Sequence, residues 1–148
     1  LDADDEMYPS KVEECVKVIS QSSSEIGVVY ADHDTLNITT GSIKREYREP
    51  FSLVRLRREC IVHSGSAINK LALERVKEDT GYFDENSSPT EDYDLWLRIA
   101  EKFMIVHIPK SLSLVRVHPN NCTYTISQQT WIEKHQYIYQ KLLKRNAK

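Results

Sequence analysis

The chain has no apolar run approaching the roughly 20 residues that a helix needs to cross a bilayer, so no spanning helix is expected. It has only three cysteines, Cys15, Cys60 and Cys122, an odd number without C-x-x-C spacing. That argues against a disulfide framework and a structural zinc site, and a reducing, cytoplasmic setting is expected. There is little net charge, formally −2 over 148 residues, and hence no broad attraction to nucleic acid. No repeat, low-complexity tract or interdomain linker interrupts the chain, and no signal peptide or initiator methionine opens it. The sequons beginning at Asn37, Asn86 and Asn121 therefore read as chance matches. What remains is 40% hydrophobic and 28% charged, with apolar material for one core and the length of one domain.

Tyr8-Pro9-Ser10 opens a predicted helix, with Ser10 and Glu13 spaced as a capping box and Val12, Cys15, Val16 and Ile19 on one apolar stripe. Cys15 reads as an inert core thiol. Ile26-Gly27-Val28-Val29-Tyr30 reads as a buried strand, followed by a polar hairpin-like segment around Gly41. A short helix is expected over residues 52–58. A turn follows at His63-Ser64-Gly65-Ser66, then a helix over about 70–78 stopped by Thr80-Gly81. Tyr82-Phe83 reads as an apolar plug before an irregular loop. Glu91-Asp92 opens the clearest helix, with Leu95, Ile99 and Phe103 on its apolar face beside Trp96. Residues 104–108 and 112–117 read as two strands broken by Pro109-Lys110-Ser111. Trp131, His135, Ile138 and Leu142 mark a terminal amphipathic helix.

Three polar groups carry the possible chemistry. The first is Leu1-Asp2-Ala3-Asp4-Asp5. In an extended segment Asp2 and Asp4 point the same way. Two convergent carboxylates are expensive unless a cation lies between them, and hard oxygen ligands suit Mg²⁺ or Mn²⁺. The second group is Glu91-Asp92 at a helix mouth. The third is Arg116-Val117-His118, where alternation puts Arg116 and His118 on one face.

These motifs are similar to three regions of family-2 glycosyltransferases with the GT-A fold. Leu1-Asp2-Ala3-Asp4-Asp5, followed by Pro9 and a helix, resembles the family's DxD region. Gly81-Tyr82-Phe83-Asp84-Glu85 and Glu91-Asp92-Tyr93-Asp94-Leu95-Trp96-Leu97-Arg98 resemble its ED region. Leu114-Val115-Arg116-Val117-His118 resembles its closing R-x-H segment. The motifs occur in the family's order, and the likeness covers about residues 1–125.

The resemblance implies an α/β fold: a partial GT-A, Rossmann-like nucleotide-diphospho-sugar transferase domain with a mixed sheet flanked by helices. Residues 1–148 would form one partial domain, with 1–125 as core and 126–148 as the C-terminal helix. The chain reads as starting in mid-strand, as a piece of a longer protein lacking the family's first strands. That implies weak nucleotide binding, an inactive fragment and homo-oligomerisation through exposed sheet edges. Any membrane anchor would lie in the missing parts.

The implied reaction moves a sugar from a nucleotide-diphospho-sugar donor to an acceptor hydroxyl, saccharide or other, with inversion and with Mn²⁺ or Mg²⁺. By the same resemblance Asp4 would bind the metal. Asp2 would reach the ribose or the metal's water shell, Asp5 would support both, and His118 would be the metal-associated histidine. Arg116 would face the diphosphate, and Gly65 and Ser66 would lie near donor and acceptor. Asp92 would be the general base, and Glu91 would orient the acceptor or a loop. A helix amino end favours the carboxylate, so burial or Glu91 must raise Asp92 if it is to act as a base.

Other readings compete. Asp92 could simply cap its helix. Trp96 reads as core, Asp94 as solvent-facing or ion-paired, and His33, His107 and His135 have no role. A non-catalytic binding module on a GT-A remnant is one alternative function. A metal-dependent nucleotidyltransferase is another, since fold alone does not choose.

Overall fold

A computed structural model describes residues 1–22, 24–63, 65–79 and 81–147. Thr80, half of the expected helix stop, and Ser64 of the expected turn lie outside them. The elements are β1 (Glu6–Met7), α1 (Lys11–Gln21), β2 (Ile26–Asn37), β3 (Ile43–Glu46), α2 (Leu53–Leu56), β4 (Ala67–Ile68) and α3 (Lys70–Arg75). They continue with α4 (Glu91–Ala100), β5 (Met104–Val117), α5 (Cys122–Thr125) and α6 (Gln128–Asn146). A single 3₁₀ turn, Glu85–Ser87, precedes α4. Among the described residues no helix is long and apolar enough to cross a membrane.

The sheet is mixed, in the order β1-β5-β2-β3 with β4 also on β2. β2 and β5 are its parallel centre, and the other pairings are antiparallel. Alternation along β2 divides the core. Val28 and Tyr30 pack with Leu95, Trp96, Ile99, Ile138 and Leu142 of α4 and α6. Val29 and Ala31 pack with Cys15, Val18 and Ile19 of α1. The architecture is thus the expected α/β arrangement, a mixed sheet between helical layers. Each large apolar side chain buried in those layers contributes roughly 1.5–3 kcal/mol.

Gly27 is where α4 approaches the sheet most closely. A Cβ there would lie 2.6 Å from Ile99 Cγ2 and 2.7 Å from Phe103 Cβ. The β2–β5 register slips at this glycine, between Ile26 and Val28, as a bulge allows.

Several expectations are corrected. β5 is one strand of 14 residues, not two. Ala31 faces Ile108 and Asp32 faces Ser111, so Pro109 and Lys110 form an irregular step that bends the strand without ending it. On α1 the inward face holds Lys11 and Cys15 with Val18 and Ile19, whereas Val12 and Val16 are 60% and 56% exposed. The capping box is absent, because the Ser10 side chain makes no cap hydrogen bond. α3 stops at Arg75, earlier than expected. Phe83 is no plug: it is 48% exposed, and buried Asp84 takes its place, accepting from Asn86 N at 3.0 Å.

Asp94 is ion-paired, but inside the core, at 0% exposure. It meets Arg98 at 3.0 Å, Lys141 at 2.9 Å and Arg145 at 3.3 Å. Arg98 also donates to the carbonyls of Val76 at 2.6 Å and Tyr82 at 2.5 Å. Lys141 reaches Asp84 at 2.9 Å. Burial acts to raise Asp84, but Lys141, Tyr137 and the Asn86 amide hold it down at about 2. Through this network α6 and the segment before α4 are pinned to the back of α4.

Candidate functional site

The opening segment is a turn rather than a strand. Asp5 N donates to Asp2 O at 3.2 Å, and the ladder begins only at Glu6, opposite Leu114. The alternation that would have aligned Asp2 with Asp4 therefore does not operate. The turn is instead fastened to the end of β5. Asp4 Oδ2 and His118 Nε2 are 2.7 Å apart. Arg116 donates its backbone N–H to Asp5 Oδ1 at 2.9 Å, and its guanidinium to Asp4 O at 2.5 Å and Glu6 Oε2 at 3.0 Å. Arg116 is thus committed to the acidic turn. Asp4 is held below 3.8, first by the His118 hydrogen bond and then by its own backbone. Asp5 is raised, chiefly by burial, with Asp4 and Asp2 adding to the effect.

Asn121 organises this corner, and the sequence marked it only as the start of a chance sequon. Its Oδ1 accepts His118 N at 2.6 Å, and its Nδ2 donates to Arg116 O at 3.2 Å. An Asn four residues beyond a strand end is the kind of side chain that closes a turn on the backbone.

Asp92 stands in the first turn of α4, where Tyr93 N donates to its Oδ1 at 2.7 Å. The N-cap is Thr90, so Asp92 is not the capping residue. Burial is the main cause that raises the Asp92 carboxyl; the Tyr93 amide opposes it, and the charges of Glu91 and Asp2 add to it. The charge of Asp2 thus bears on both Asp92 and Asp5 and links the opening turn electrostatically to the mouth of α4. Glu91 Oε2 is buried without a hydrogen-bond partner.

Gly65 and Ser66 are both tied to His63. Gly65 N donates to His63 Nδ1 at 3.0 Å, and Ser66 Oγ donates to His63 O at 2.6 Å. Gly65 lies against Leu1, whose Cδ1 would be 3.3 Å from an added Cβ. Because Nδ1 accepts, His63 Nε2 carries the proton and donates to Ala31 O at 3.1 Å. Burial lowers this imidazole to about 3, so it is neutral at pH 7. Deeper in the sheet, His107 Nε2 meets Asp32 Oδ1 at 2.9 Å, a buried pair that no motif announced. His33 stacks on His63, and His135 on Tyr93, at ring centroid distances of 5.1 and 5.4 Å.

Among the described residues no three His, Cys, Asp or Glu side chains form a ready-made metal cage. Asp4 and His118 supply one hard oxygen and one imidazole nitrogen. That donor set suits Mn²⁺ or Mg²⁺ when substrate phosphates and water fill the remaining positions.

No family model matches the chain. Its full length is similar to an uncharacterized glycosyltransferase of Rickettsia typhi and to one of Rickettsia prowazekii, each 24% identical over 156 residues. The aligned part is 47% of each relative, so the chain spans about half the length of the curated relatives it matches.

Proposed function

We propose that this chain is the acid-bearing part of an inverting glycosyltransferase, of family 2 and of GT-A type, that uses a nucleotide-diphospho-sugar donor. The names of the two distant relatives support transfer of a sugar in general. The observation that carries the finer reading is the 2.7 Å contact by which His118 holds the acidic turn at the end of β5, joined by Asp92 at the mouth of α4, whose carboxyl burial raises.

Asp92 accepts the proton of the acceptor hydroxyl as that oxygen attacks the anomeric carbon. Its raised proton affinity improves it as a base, while the Tyr93 amide fixes its direction. Glu91, beside it, orients the acceptor. Asp4 and His118 would hold the cation, with Asp2 and Asp5 beside them. When bound, Mn²⁺ or Mg²⁺ supplies charge neutralisation for the leaving diphosphate. Arg116 keeps the acidic turn on β5, so that turn and strand end move as one unit.

The test is release of nucleoside diphosphate by the full-length parent protein from a panel of nucleotide sugars with Mn²⁺, with and without acceptors. The expected result is turnover that falls by at least about 100-fold in Asp92→Asn. Release of pyrophosphate instead would favour a nucleotidyltransferase. Donor binding without turnover, unchanged by Asp92→Asn, would favour a binding module.

A further inference from the structure

We propose that Arg48 binds an anionic group, a carboxylate or a phosphate monoester, on the sugar of a bound ligand. The identity of the ligand as a sugar rests on the transfer reading; the anion site does not.

Arg48 is half-buried just beyond β3. Its backbone N–H donates to buried Asp32 Oδ1 at 2.8 Å, which fixes the residue against the end of β2. Its Nε is buried without a partner. Among the described residues its guanidinium makes no ion pair and no hydrogen bond, in contrast to Arg45, Arg55, Arg98, Arg116 and Arg145. Glu46, which feels its charge, is committed to Lys44 at 2.8 Å. The stem is therefore held and the head left unmatched. A guanidinium in that state is arranged for a planar oxyanion, which it meets with two parallel N–H donors.

The surroundings exclude the other uses of such an arginine. His33 and His63 stack beside it and are both lowered, first by burial, with the Arg48 charge contributing. An imidazole carries no negative charge in either protonation state, so neither ring balances the guanidinium. Buried His33 Nδ1, like Arg48 Nε, has no partner, so two polar atoms of this wall lack one. Buried polar groups without partners are rare and costly, and at a ligand site they find a partner in the ligand.

The position also selects which part of a ligand is read. Arg48 is tied to Asp32, which lies opposite Ser111, whereas Arg116 lies opposite Leu36, four residues further along β2. Arg48 is thus set apart from the Asp4–His118 corner that would hold a diphosphate, which leaves it the sugar.

The experiment titrates the chain with glucuronate, glucose 6-phosphate and glucose, following backbone amide shifts by NMR, with pyrophosphate plus Mn²⁺ as a separate arm. One or both anionic sugars are expected to bind at least about tenfold more tightly than glucose, the yield of one desolvated charge-assisted pair. A preference for glucuronate assigns the site to carboxylates, one for glucose 6-phosphate to phosphates, and both to oxyanions in general. Arg48→Gln should abolish the preference, Arg48→Lys should retain part of it, and Arg57→Gln should leave it whole. If Arg48→Gln fails to fold, the wild-type preference and its partial loss in Arg48→Lys still decide. Equal affinity for all three sugars, or a preference intact in Arg48→Gln or Arg48→Lys, overturns the proposal. An intact preference without donor turnover by the full-length parent protein would end the transfer reading and leave the anion site standing. Turnover without a preference would do the reverse.

Discussion

Asp4 and His118 meet at 2.7 Å although 114 positions separate them in the chain, and that contact fastens the opening turn to the end of β5. The hydrogen bond is the main reason the Asp4 carboxyl lies below 3.8. A depressed carboxyl stabilises the folded state above its unfolded value, and the benefit disappears as pH falls through the folded value. Amide exchange at Asp5, whose N–H closes the turn, should therefore accelerate in acid below pH 3.8. In His118→Ala the Asp4 titration, read by carboxyl carbon NMR, should move up toward 3.8.

Asp92 has the opposite sign. Burial raises its carboxyl, so the folded state holds that proton more tightly than the unfolded state does. Folding is unpenalised below 3.8 and penalised above the raised value, where the site must keep a buried charge. Asp92→Asn should stabilise the fold at pH 7 by on the order of 1 kcal/mol and do nothing at pH 3, as measured by urea unfolding. A loss of stability at pH 7 would show that Asp92 is structural.

The Asp94 network should behave as a unit. Asp94→Asn keeps the shape but leaves Arg98, Lys141 and Arg145 without their shared anion. The expected cost is about 3–5 kcal/mol in chemical denaturation, well beyond that of breaking the exposed Lys17–Glu13 pair.

Gly27→Ala tests the closest approach of helix and sheet. The added methyl meets Ile99 and the backbone-proximal carbon of Phe103, neither of which is the free end of a long chain. Overpacking of this kind costs about 1–3 kcal/mol, to be read from the thermal midpoint.

The parts of the fold that were legible are those where local periodicity and tertiary burial agree. β2 has a continuous apolar run because both its faces are covered, and α4 repeats its apolar residues because one side meets the sheet. Where a local signal competes with packing, packing decides. Pro109 reads as a break, yet the strand absorbs it as an irregular step. Val12 and Val16 fit the α1 stripe, but the helix turns the Lys11 stem and Cys15 inward instead.

The site divides in the same way. Motif spacing pointed to Asp92, Asp4 and His118, the residues that the proposed transfer would use. It missed Asn121 and the Asp32–His107 pair, because their partners are fixed only by folding; Asp32 and His107 are 75 positions apart. Arg48 left no trace in the sequence, since an unmatched charge is visible only once its neighbours are known.

The step at Pro109 and Lys110, level with Ala31, splits the two central strands into halves with separate obligations. On the near half, Val28, Val29, Tyr30, Ala31, Ile105 and Ile108 are buried in the helical layers. Past the kink, Asp32, Arg116 and His118 bond to segments outside those layers. Substitution in the outer stretch can therefore alter that end of the sheet while the packed half underneath stays unchanged.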